Sequence, residues 1–335
     1  MAQDNRNVSR IETLSRRQFV RAVGGAAAIG GLAPFVGLGT GAARAAVLGE
    51  GPSPKSAAET AAGRLFESLK PEQREVLCFS YDDPLRKKIN ANWAITEPTI
   101  GELSTEQQML VEDVVRGVTS PEGYERFRIQ MDQDSGGFEE YHIALFGEPG
   151  TDAFEFELTG RHLTLRADGN SNPGAAFGGP IVYGHGQGDS TKGLPGNVFY
   201  YQTVKANQVF GALDGTQRDL ALVDNAPRET AVEIQGEGGM LPGICLSELA
   251  SDQKELVASV IRVVLDPYRA EDVEEAMAVI EAGGGMDALH MAFYKEGDLG
   301  DDGEWDNWRI EGPTFVWHFR GAPHVHAYVN IGKRA

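Results

Sequence analysis

Three of the seven histidines in this 335-residue chain lie close together near the C-terminus, at His318, His324 and His326. The run Glu311-Gly312-Pro313-Thr314-Phe315-Val316-Trp317-His318-Phe319 and the run Val325-His326-Ala327-Tyr328-Val329-Asn330 are rich in aromatic and β-branched residues. Between them Arg320-Gly321-Ala322-Pro323 has turn chemistry, so the stretch reads as a β-hairpin. Residues two apart on a strand share a face, which sends His324 and His326 the same way. A turn symmetric about Ala322 pairs residue 320 with 324 and sets His318 directly across from His326. Imidazole nitrogens suit Zn or Cu, and three histidines with one position left open is a catalytic rather than a closed structural pattern. A His-x-His pair reaches one ion only where its surroundings are rigid, a condition a hairpin meets. His162, much earlier in the chain, is the candidate that would complete the set. The plainer reading is a row of satisfied polar residues on a half-exposed sheet face.

The other histidines carry less. His142 and His290 each stand just before an apolar run, in matching contexts, and duplicated placement argues for a structural role. His185 lies among glycines in Gly178-Gly179-Pro180-Ile181-Val182-Tyr183-Gly184-His185-Gly186, a tract that reads as loop and turn, where it is a mobile residue or a ligand on a lid. Gln133-Asp134-Ser135-Gly136-Gly137 has the look of a serine-protease nucleophile segment, but no histidine precedes His142 to act as its base. There is no G-x-S-x-G elbow, and Asp189-Ser190-Thr191-Lys192 puts its lysine after the hydroxyls, unlike a phosphate-cradling loop. Asp298-Leu299-Gly300-Asp301-Asp302-Gly303 lacks the side chains a calcium loop needs at its third and twelfth positions and reads as an acidic turn.

The elements that must hold these groups announce themselves by repetition. Leu69 to Gln73-Arg74, Leu103 to Gln107-Gln108, Leu213 to Gln217-Arg218 and Leu249 to Gln253-Lys254 are one phrase: a leucine, then four positions on a glutamine and a long polar residue. Ser104 to Gln107 and Asp214 to Gln217 have capping-box spacing, so each phrase predicts a helix start. Met109, Leu110, Val114 and Val115, then Leu220 and Leu222, then Leu256, Val257, Val260, Ile261 and Val264, supply the apolar stripes. Tyr141 to Glu148 parallels Leu289 to Glu296, and Phe154 to Gly160 parallels Trp305 to Gly312. The pattern predicts an α+β fold of two pseudo-repeated units, each a helix pair followed by an antiparallel β meander, at 59–195 and 196–335 within one compact domain.

Ser15-Arg16-Arg17-Gln18-Phe19-Val20, a Gly/Ala-rich run from Ala22 and Ala43-Arg44-Ala45 compose a twin-arginine signal peptide over 1–45 with an A-x-A cleavage site. A solvated linker over 46–58 follows. The expected partner is therefore the twin-arginine translocase, the expected location periplasmic or extracellular, and no stable membrane span is expected after cleavage. Twin-arginine export carries folded proteins, often already loaded with a cofactor. The full-chain net charge is −19, and the first 45 residues contribute six Arg against Asp4 and Glu12, leaving −23 for the exported part. Such a chain is unsuited to nucleic acid or anionic membranes. Cys78 and Cys245, in apolar, near-helical surroundings, either pair in an oxidising compartment or stay as buried thiols; neither has C-x-x-C spacing.

At Gly160-Arg161-His162-Leu163, Ile310-Glu311-Gly312-Pro313 and His324-Val325-His326 the chain resembles the exported domain-of-unknown-function 3500 family. The likeness extends to the Leu-x-x-x-Gln helix openings, the Phe146-Gly147-Glu148-Pro149 turn and Leu241-Pro242-Gly243-Ile244, and covers nearly all of the exported chain. It implies an exported α+β protein and brings no activity with it. Typical members have Gly-His-His where this chain has Gly160-Arg161-His162 and a carboxylate near His318, so the resemblance singles out His162, His324 and His326. The resulting expectation is an exported metal-binding protein with Cu or Zn on His162, His324 and His326, and His318 as ligand or support. If it is an enzyme, metal-activated water or a redox copper centre would do the work. The rival is a non-catalytic periplasmic binding or envelope-associated scaffold with Trp305, Trp308 and Trp317 as a recognition face.

Overall fold

All four glutamine phrases open helices, and the glutamine itself closes each cap. Its Oε1 accepts from the backbone N–H three residues earlier: Gln73 from Lys70 at 3.0 Å, Gln107 from Ser104 at 3.1 Å, Gln217 from Asp214 at 3.0 Å and Gln253 from Ala250 at 2.9 Å. The structure, a computed structural model, describes residues 51–186, 196–299 and 302–333. The twin-arginine segment and the first five linker residues, 46–50, lie outside the described residues. The eight described α-helices are α1 (Ala57–Ser68), α2 (Pro71–Leu77), α3 (Thr105–Val118), α4 (Pro121–Ser135), α5 (Tyr200–Ala212), α6 (Gly215–Ala221), α7 (Ser251–Leu265) and α8 (Ala270–Ala282). Helix α1 already begins at Ala57, inside the expected linker.

The expected pair of helices per half is thus too few, since α1, α4, α5 and α8 were not read. Helix α4 shows why: its buried Tyr124, Phe127 and Met131 are interleaved with Glu, Arg, Gln and Asp, so the apolar stripe is thin. Two stripe residues were also misassigned, because Met109 and Leu220 are exposed while α3 buries Leu110, Val111, Val114, Val115 and Val118. Leu222 belongs to a strand.

The strands form a single eleven-stranded sheet in the order β1-β2-β3-β4-β5-β11-β10-β9-β8-β6, with β7 also paired to β8. They are β1 (Cys78–Phe79), β2 (His142–Gly147), β3 (Phe154–Gly160), β4 (Leu163–Ala167), β5 (Ile181–His185), β6 (Leu222–Val223), β7 (Ile244–Cys245), β8 (His290–Tyr294), β9 (Asn307–Gly312), β10 (Phe315–Arg320) and β11 (Val325–Ile331). The two-residue strands β1 and β6 run parallel to β2 and β8, and the long strands are antiparallel. Cys78 and Cys245 lie on strands rather than near-helical segments, and both thiols are free.

One sheet face carries the large core shared with the helices; on β11 it takes Val325, Ala327, Val329 and Ile331. The opposite face takes His326, Tyr328 and Asn330 and is roofed by irregular chain. Ala91 and Val232 pack on Val182, Val316 and Tyr328, and Trp93 and Ile95 pack on Ala144 and Phe146. The roof is stitched down by Ala91 N–H to Tyr328 Oη at 3.1 Å and Asn330 Nδ2 to the Val232 carbonyl at 2.8 Å. A sheet buried on both faces needs polar partners for its roofed side, and that is where the chemistry collects.

The Gly178–Gly186 tract is not all loop: Ile181–His185 is β5, a central strand joined to β11. The hairpin register also departs from expectation. Arg320 pairs with His326 and His318 with Tyr328, two residues further on than a turn about Ala322 would give. The four residues Gly321 to His324 form the connection, with a cis Ala322–Pro323 bond.

Candidate metal centre

His162 is the first of the three rings to be positioned. The hairpin between β3 and β4 closes with Gly160 opposite Leu163, leaving Arg161 and His162 as its two-residue turn. His162 takes φ +58° and its N–H donates to the Ala91 carbonyl at 2.6 Å. Two-residue hairpin turns call for left-handed backbone, and histidine, with Asn and Asp, is among the side chains that take it more readily. Beside it, Gly184 on β5 lies opposite His326 on β11. A Cβ there would come within 2.2 Å of the Val325 carbonyl oxygen and 3.4 Å of His162 Cβ, so glycine is what lets the turn and the hairpin meet.

The result is a cluster of His162, His324 and His326, each offering a ring nitrogen, with the three nitrogens within 4.8 Å of one another. Ring centroids stand 4.7 to 5.0 Å apart. His162 is buried and the other two are half-buried. Carboxylates fix two of the rings from behind. Asp134 Oδ2, in the last turn of α4, accepts from His162 Nδ1 at 2.8 Å, and Glu229 Oε2, on the roofing chain, accepts from His326 Nδ1 at 2.8 Å. Both carboxyls are pushed up by burial, but these histidine hydrogen bonds and nearby positive charge more than offset that and hold them below their usual range. Gln130 Nε2 at 2.9 Å and the Gly186 N–H at 2.8 Å add donors to Asp134. An acidic side chain at a helix C-terminus opposes the dipole, so Asp134 is not there for the helix.

With its proton on Nδ1, each of these rings turns an Nε2 lone pair toward the cluster. His326 Nε2 lies 3.0 Å from His324 Nε2, which also accepts from Arg320 Nη2 at 3.2 Å. Two acceptor nitrogens at that distance repel unless a proton or a cation sits between them. Burial, then His326 and Arg320, lower His324 to about 4, and burial lowers His326 as well, so both rings are neutral; the contact is then either one N–H that His324 donates to His326 Nε2 or an ion held between two acceptors. Tetrahedral zinc with about 2.05 Å bonds separates its nitrogens by about 3.4 Å, so the closest pair already stands near that spacing and the widest must close by rotation of one ring.

A family model described as a protein of unknown function (DUF3500) matches residues 52–330, a span that contains all three histidines and both carboxylates. The chain belongs to the DUF3500 family. No curated protein and no solved structure matches it.

Among the described residues of this DUF3500 chain, His162, His324 and His326 are the group whose ligand atoms converge in this way. His318 is not part of it. It is 2% exposed, under the roof, with Nδ1 facing Arg309 Nε at 3.4 Å. The shifted register put Tyr328 across from it and left His318 one pair further along the sheet. His185 is neither mobile nor a lid ligand: it is buried in β5, its Nε2 lies 2.9 Å from Gln133 Oε1, and its Nδ1 accepts from the Val198 N–H at 3.1 Å. His142 Nδ1 contacts the Pro98 carbonyl at 3.0 Å, as suits a structural role. Trp308 and Trp317 are core residues at 0% exposure, stacked edge-on with centroids 4.3 Å apart, and Trp305 packs against the same core, so the three make no recognition face. The DUF3500 residues that sequence reading missed are Asp134, Glu229 and Arg320. Asp134 was met only inside a dismissed protease-like segment, and nothing in the spacing linked Glu229 to a hairpin about a hundred residues away.

His318 supplies a pH prediction. Burial first, then Arg309, lowers it from 6.5 to about 3. The unfolded chain takes a proton as pH falls below 6.5 while the folded protein resists until about 3, so acidification favours unfolding across that window. Between pH 7 and pH 4 this group alone removes on the order of 3 kcal/mol. Denaturant titrations should show His318→Gln losing less stability than wild type over that range; parallel losses would mean that His318 is not kept neutral.

Proposed function

We propose that this DUF3500 protein is an exported metal-binding protein that holds one Zn or Cu ion on His162, His324 and His326. The observation that carries the reading is the pair of carboxylate-fixed imidazoles whose ring nitrogens converge with that of a third, all three within 4.8 Å of one another. Outer carboxylates that set histidine tautomers are the usual support of a metal site. Three protein ligands leave a fourth position for water or a small ligand, the pattern of a reactive rather than a purely structural ion.

The same reading includes export by the twin-arginine translocase to the periplasm or beyond, supported by Arg16-Arg17 and the Ala43-Arg44-Ala45 site. It also includes an internal duplication. In one half Gln73 and Gln107 exchange amide hydrogen bonds at 3.0 Å, with Gln107 donating to the Ser68 carbonyl. In the other, Gln217 and Gln253 do the same at 3.0 and 2.7 Å, with Gln253 donating to the Ala212 carbonyl. On that view the two meanders join at β5 and β11, and the ion lies on the seam, with His162 from one half and the His-x-His pair from the other.

The test is elemental analysis of protein recovered from its export route, beside His324→Ala and His326→Ala. One equivalent of metal in wild type and under a tenth in either variant is expected; metal-free wild type overturns the reading.

A further inference from the structure

Arg320 is a cation in direct contact with the cluster, through His324, and its hydrogen bonds are incomplete. Nη1 pairs with Glu229 Oε1 at 3.1 Å and Nη2 donates to His324 Nε2 at 3.2 Å. Nε is buried and has no partner among the described residues. In a guanidinium the Nε–H and Nη2–H bonds run side by side and form the two-pronged edge that receives the paired oxygens of a carboxylate or phosphate. One prong of that edge is empty, and the other rests on the lone pair that a metal ion would take. When His324 turns its nitrogen to an ion, Nη2 loses its acceptor and the whole edge is left unsatisfied at the rim of the ion's open position. Buried donors without partners are costly.

Charge points the same way. A divalent ion and Arg320 bring three positive charges against two from Asp134 and Glu229, with the imidazoles neutral, so the loaded site is one negative charge short. Arg161, exposed on the same turn as His162, adds to the positive rim: a Cβ on Gly186 would lie 3.1 Å from His162 Cε1 and 3.6 Å from Arg161 Nη2.

We infer that the fourth ligand of the ion is an oxyanion, a carboxylate or phosphate group of the substrate, gripped by the Nε/Nη2 edge of Arg320 while one of its oxygens binds the metal. The inference rests on the metal site proposed above. It makes Arg320 a binding residue with two opposite effects: without an anion it competes with the ion for His324 and repels it, and with one it holds the complex together.

The experiment is a titration of the protein with Co²⁺, followed by visible absorption, and then of the Co²⁺-loaded protein with acetate, with phosphate and with chloride at matched ionic strength. In wild type, acetate or phosphate should shift the spectrum at concentrations where chloride does not, and the more effective of the two names the class of oxyanion. In Arg320→Gln the midpoint for that anion should rise roughly 10- to 100-fold, the worth of a charge-assisted pair, while Co²⁺ alone binds several-fold more tightly. A variant that takes up Co²⁺ with wild-type anion midpoints, or a wild type that answers chloride equally, overturns the inference and leaves the metal site standing. Failure of wild type to take up Co²⁺ overturns both.

Discussion

His162→Asn should leave the protein folded and weaken its metal affinity by two to three powers of ten. Asparagine tolerates left-handed backbone better than most residues, so the φ of +58° at the turn is kept, and its amide can still donate toward Asp134. What is lost is one of three ligand nitrogens. Structural zinc sites with four ligands bind with about 10–16 kcal/mol, so one ligand is worth about 2.5–4 kcal/mol. Isothermal titration with Zn²⁺, with denaturant unfolding of the metal-free proteins alongside, separates the two effects. Equal affinity in variant and wild type would remove His162 from the site. Equal loss of stability and of binding would make it a folding residue instead.

Arg166→Met should cost about 3–5 kcal/mol of stability, the usual consequence of removing one partner from a buried ion pair. Arg166 and both its carboxylates are essentially inaccessible. Its Nη1 meets Glu155 Oε1 and lies 3.1 Å from Glu157 Oε2, while its Nε donates to the Pro180 carbonyl at 2.8 Å. Without it, Arg86, 2.9 Å from Glu155, is left facing two carboxyls. Burial already raises Glu157 to about 8, with Arg166 opposing and Glu155 adding to the rise. In the variant Glu157 loses that opposing charge and rises further, so the folded state favours its neutral form. The unfolded chain ionises above about 4.5, so the deficit grows as pH rises and should be larger at pH 8 than at pH 6. Denaturant midpoints at the two pH values give the answer; a variant within about 1 kcal/mol of wild type at both would show the network to be dispensable, as some buried pairs are.

Local chemistry fixed what the sequence could show. The glutamine phrases reported helix starts because a cap is made within four residues, and the hairpin was legible because strand periodicity and turn residues are local too. The two-residue spacing keeps His324 beside His326, although His324 stands in the bend before β11 and not on the strand whose periodicity was expected to align them. Four helices went unread, α4 because charged residues dilute its buried stripe, and β5 was hidden by the glycine that makes room for His162.

The sequence by itself determined an α+β family member with two histidines bound to act together and a third worth adding. Only the tertiary structure decided that His162 joins them and His318 does not, because that depended on a hairpin register two residues from the symmetric one and on the pairing of β5 with β11. It alone brought Asp134 from a helix end, Glu229 from the roof and Arg320 from the hairpin to the same three rings. Such contacts join residues far apart in the chain, and no local spacing encodes them.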